Sequence, residues 1–98
     1  MDPRDREQKM LDRCARVVKG RARVARTRAE ASVFRFAAMS LESANPSGAN
    51  SLWSASERYF TTHTQSPATL AELMGKGHIL TINRLRDMLA VQLQREAL

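Results

Sequence analysis

Apolar and small residues recur at spacings of three and four through the first part of the chain: Leu11, Cys14, Val18, Ala22, Ala25, Ala29, Ser32, Phe36 and Met39. That period places them on one face of an α-helix. Pro3 suits a first helical turn behind an Asp2 cap, Asp5 and Glu7 lie near the positive end of the helix dipole, and no second proline occurs before Pro46. The pattern predicts one long helix over residues 3–43, within a basic amphipathic segment 1–43. Gly20, costing about 1 kcal/mol in a helix interior, and the period-two run Arg21-Ala22-Arg23-Val24 allow a bend there.

Residues 44–50, Ala-Asn-Pro-Ser-Gly-Ala-Asn, read as a turn by composition. A second helix is expected after Asn50 or Ser51 as cap, carrying Leu52, Trp53, Ser56, Tyr59 and Phe60. The polar, β-branched run 61–65 reads as a loop. Ser66-Pro67 then supplies a cap and a first helical residue for a short helix with Leu70, Leu73 and Met74, ended by Gly75-Lys76-Gly77. From His78 the helical period resumes through Ile79, Ile82, Leu85, Leu89 and Leu93 to Leu98. The expected fold is all-α: a long N-terminal helix, then a short three-helix bundle or hairpin over 51–98, in a single domain.

An unbroken helix of some forty residues would be about 60 Å long, against a radius of gyration of about 13 Å for a compact domain of this size. Such a rod must break or be covered by a second chain. Self-association, as a dimer, or docking of a partner helix is therefore expected, with Leu11, Val18, Ala22, Ala25, Ala29, Phe36, Trp53, Leu85 and Leu89 as interface residues.

Charge sharpens the picture. The 98 residues carry a formal charge of +6 with a pI near 10.7, a balance that attracts polyanions. Arg13, Arg16, Lys19, Arg21, Arg23, Arg26 and Arg28 succeed one another with no acidic residue between them. Wrapped on a helix they would cover about two thirds of its circumference, and arginine forms paired hydrogen bonds to phosphate. A shorter helix, a glycine turn and a second helix with Thr81, Asn83, Arg84 and Arg86 on or beside it suggest a helix-turn-helix, but Lys76 stands where an apolar residue would seal the corner and Gly77 lengthens the turn, which favours a plain hairpin. Arg84 and Arg86 join the basic tract as candidate nucleic-acid contacts.

Other chemistries find little support. The single cysteine, Cys14, precludes an internal disulfide, so a reducing cytoplasm is expected, and its place on the apolar stripe suits a buried, inert thiol. The charged start and the lack of a long apolar run argue against a signal peptide or membrane span, and an Ala-rich helix face would bury little in a lipid surface. His63 and His78 lack acidic or thiol residues at metal-ligand spacing, and Gly75-Lys76 lacks the rest of a phosphate loop. No nucleophile-base set or carboxylate pair stands out. Trp53, Tyr59 and Phe60 suit a core better than a base-stacking platform. The expectation is a non-enzymatic helical regulator without cofactor or metal, whose basic helix engages nucleic acid or an acidic protein. The alternative is a helical adaptor or co-chaperone gripping a partner protein's helix.

Overall fold

The computed structural model describes residues 2–97 and is all-helical. Helices α1 (Pro3–Val18), α2 (Arg28–Leu41), α3 (Pro46–Thr62), α4 (Leu70–Gly75) and α5 (Ile82–Ala97) pack into a body of 39 × 29 × 21 Å. α2 packs most extensively on α3, α1 lies against both, and α5 packs on α2 and α1.

The single helix expected over 3–43 is two helices. Gly20 does more than bend the chain: at φ +75° it takes the left-handed conformation that ends a helix. Its N–H donates to Val17 O at 3.0 Å and Arg21 N–H to Arg16 O at 2.8 Å, the paired bonds of a Schellman motif. The helix restarts at Thr27, whose Oγ1 accepts from Glu30 N at 3.0 Å. That cap is worth about 1 kcal/mol. The break removes the overhanging rod, and the radius of gyration is 12.2 Å.

Other boundaries move for related reasons. Pro46 opens α3 rather than closing a turn, because Asn45 Oδ1 accepts from Gly48 N at 3.0 Å and the proline has no N–H to lose. Residues 46–50 are therefore helical, and Thr61 and Thr62 extend the same helix. α4 starts at Leu70 behind Thr69, whose Oγ1 accepts from Glu72 N, and not at Ser66-Pro67. Gly77, φ +76°, ends it with a second Schellman pair. α5 begins at Ile82 rather than His78, with Thr81 Oγ1 accepting from Arg84 N at 3.0 Å. The expected end of this helix at Leu98 lies outside the described residues.

The core is built from Leu11, Cys14 and Val17 of α1, Val33, Phe34 and Leu41 of α2, Leu52 of α3, Leu73, Ile79, Leu85 and Leu89, with alanines between them. Small residues set the spacing. A Cβ on Gly48 would sit 3.0 Å from Val18 Cγ1 and 2.7 Å from Asn45 Nδ2, so glycine lets the start of α3 meet the end of α1. Two carboxylates are also buried. Glu7 accepts from Leu80 N at 2.8 Å and Arg84 Nε at 2.6 Å, joining α1 to the start of α5. Glu30 accepts from Arg13 Nε at 3.0 Å and Arg26 N at 3.2 Å.

Candidate functional site

Residues 19–27, between the Schellman turn and the Thr27 cap, form an irregular strap, so most of the basic tract lies off any helix. The strap is nevertheless held in place. Arg13 Nη2 donates to Val24 O at 3.0 Å, Arg58 Nη1 of α3 donates to Arg23 O at 2.9 Å, and Arg26 N is bound to Glu30. Ala25 plugs into the core. Backbone carbonyls of Arg23 and Val24 are thus engaged from the protein side, while the side chains of Arg21, Arg23, Val24 and Arg26 are exposed.

The basic residues divide into two populations. Arg13 is spent on buried Glu30, Arg28 on Glu72 and the Ser66 carbonyl, Arg84 on buried Glu7, and Arg86 on Asp87. For Arg13, Arg28 and Arg84 that hydrogen-bonding capacity joins separate parts of the fold, while the Arg86 pair lies exposed on α5. Arg16, Arg21, Arg23 and Arg26 are exposed, and among the described residues none of their guanidinium groups has a hydrogen-bonding or ionic partner. Lys19 is half-buried beside them. Val24, 59% exposed, lies between Arg23 and Ala25.

The expected interface residues also divide. Leu11, Ala25, Leu85 and Leu89 are buried in this chain's own core, and Val18, Ala22, Ala29 and Phe36 are half-buried against it. The fold itself has covered the stripe that a second chain was expected to cover. Trp53 remains 39% exposed and Met39 56%. Together with Ala38, Glu42 and Pro46 they line an open groove of about 800 Å³ between the end of α2 and the start of α3. Arg35 lies over the Trp53 ring at 4.7 Å and the Phe60 ring at 5.0 Å, while its Nη2 reaches Glu57 at 2.7 Å. Tyr59 is buried and stacks on His63 at 4.0 Å.

Sequence reasoning missed Arg58, Glu7 and Glu30. Arg58 stands alone on another helix, and no local pattern ties it to residue 23. Glu30 did carry a signal, because Thr27-Arg28-Ala29-Glu30 has the Ser/Thr-x-x-Glu spacing of a helix start.

Burial and ion pairing shift several titratable groups outside the strap. Burial pushes the Cys14 thiol far above its usual range, reinforced by the Glu30 charge, so it stays protonated and inert at neutral pH. The hydrogen bond from Arg28 lowers the Glu72 carboxyl and raises Arg28 itself. Burial, followed by Arg6 and Lys76, lowers His78, whose buried Nδ1 has no partner. Among the described residues no cluster of three or more His, Cys, Asp or Glu could hold a metal ion, and no helix is long and apolar enough to cross a membrane. Comparison with protein-family models, curated proteins and solved structures found no match.

Proposed function

We propose that the chain is a non-enzymatic regulator that grips nucleic acid through its strap. One observation carries this reading: Arg16, Arg21, Arg23 and Arg26 stand exposed with unused guanidinium donors, while neighbouring arginines are neutralised by carboxylates. The strap's backbone is tied down from α1, α2 and α3. Pinning removes ordering entropy from the binding step, which raises affinity without adding contacts.

The test is fluorescence anisotropy of the full chain with labelled oligonucleotides across a salt series. Four phosphate contacts on a duplex give a slope of about −3 to −4 in log K against log salt. Replacing Arg21, Arg23 and Arg26 by Gln should flatten that slope to about −1 and weaken binding by at least about tenfold near 0.1 M salt. No binding at low salt rejects the proposal.

A second reading rests on the groove at Trp53 and Met39. Tryptophan and methionine are enriched at contact surfaces, and Glu42 caps a helix whose last turn has no basic residue, leaving that end of the groove negative. Its occupant would be an amphipathic partner helix with an apolar anchor and a cationic end. Trp53→Ala would then abolish capture of that partner while leaving nucleic-acid binding intact.

A further inference from the structure

We infer that the strap enters the minor groove of A/T-rich duplex DNA through Arg21 and Arg23; this rests on the nucleic-acid reading above and narrows its ligand. An α-helix, about 10–12 Å across, suits the major groove, which is about 12 Å wide. That mode needs free side chains along a helix, and here only Arg16 of the four lies on one. Residues 22–25 belong to neither helix nor turn, and Arg21 and Arg23 are exposed on either side of half-covered Ala22, while Val24 is exposed as well and Ala25 turns into the core. A non-helical segment bearing two exposed arginines can follow a groove only about 6 Å wide, which a helix cannot enter.

Competing nucleic-acid ligands fit less well. Single strands are held by aromatic platforms on which bases stack. The strap has no aromatic residue, Tyr59 is buried, and Phe60 and Trp53 are engaged with Arg35. Duplex RNA has a wide, shallow minor groove that does not concentrate potential around an inserted guanidinium. A-tract DNA has a narrow one whose enhanced negative potential attracts arginine. No free carboxylate belongs to the strap, since Glu30 is already bound to Arg13 and Arg26 N. Small Ala22 beside the two arginines leaves the groove walls room to approach.

The experiment compares the full chain on four labelled probes of equal length: an A-tract duplex, a G/C duplex, a single strand and an RNA duplex. The A-tract duplex should bind about tenfold more tightly than the others, and netropsin, which fills the A/T minor groove, should displace the protein. The Arg21→Lys, Arg23→Lys double variant conserves charge, so its salt slope should persist while the A-tract preference falls below about threefold. Circular dichroism confirms that this surface variant stays helical. Equal affinity for both DNA duplexes without netropsin displacement, or tighter binding to single strand or RNA, overturns the minor-groove assignment and leaves the broader reading standing. Absence of binding to all four probes rejects both.

Discussion

The strap at 19–27 and the corner at 76–81 each leave a helix through a left-handed glycine, Gly20 or Gly77, with the same pair of Schellman hydrogen bonds. Each is then tied by a buried carboxylate that accepts one backbone N–H and one arginine Nε: Glu30 with Arg26 N and Arg13, Glu7 with Leu80 N and Arg84. Their surfaces are opposite. The corner turns Ile79 into the core and half-covers His78 and Leu80, whereas the strap buries only Ala25 and exposes Arg21, Arg23, Val24 and Arg26. A shared closing device thus yields a structural joint in one place and an outward-facing cationic segment in the other. The arginine that does the tying is part of the scaffold in both.

The comparison breaks most sharply at the carboxylates. Glu30→Ala leaves Arg13, whose side chain is 14% exposed, without its counter-charge and should cost about 3–4 kcal/mol in urea unfolding. Nucleic-acid affinity per folded molecule should fall as well, because the strap loses its anchor. Glu7→Ala should cost less, about 2 kcal/mol, because Arg84 is 40% exposed and can regain water. Affinity should then remain at the wild-type level. Equal effects of the two substitutions on binding would show that the strap's anchoring is irrelevant to its function.

Gly20→Ala should destabilise by about 1–2 kcal/mol through the left-handed backbone alone, since a Cβ there meets nothing within 4 Å. Differential scanning calorimetry should show the lowered midpoint, and amide exchange should place the added opening at the end of α1 and in the strap. The smallest effect concerns acid. His78 titrates below its ordinary value of about 6.5, so on acidification the unfolded chain takes up its proton first. Its contribution to stability is therefore full at neutral pH and is lost as pH falls from about 6.5 through the lowered folded value. Urea midpoints measured between about pH 7 and 5 should decline, and His78→Gln should flatten that part of the profile. Binding by the strap should not track this titration.

Much of the helical content is readable because capping chemistry is local. Asp2-Pro3 is legible as a helix start, yet the same chemistry at Asn45-Pro46 is masked by Ser47 and Gly48, which read as turn residues. Thr27 and Thr69 each precede a Glu at the capping-box spacing, but apolar periodicity runs through the first and Ser66-Pro67 overshadows the second. Gly20 is legible as a helix cost. Whether it bends or ends the helix depends on what the next residues can pack against.

Within the candidate site, the concentration of arginines is visible from the order of residues alone. Which of them remain free is not. Arg13, Arg28 and Arg84 find carboxylates 17, 44 and 77 residues away, and Arg58 reaches a carbonyl 35 residues away. Such pairings join α1 to α2, α2 to α4, α5 to α1 and α3 to the strap, which no local period encodes. Residue order alone is enough for an all-helical chain with a dense cationic stretch and a single cysteine, because period, charge and residue type act at short range. Only the tertiary structure decided that the apolar stripe closes on its own chain and that the cations ride an irregular, pinned strap, because burial and long-range ion pairing depend on which elements meet.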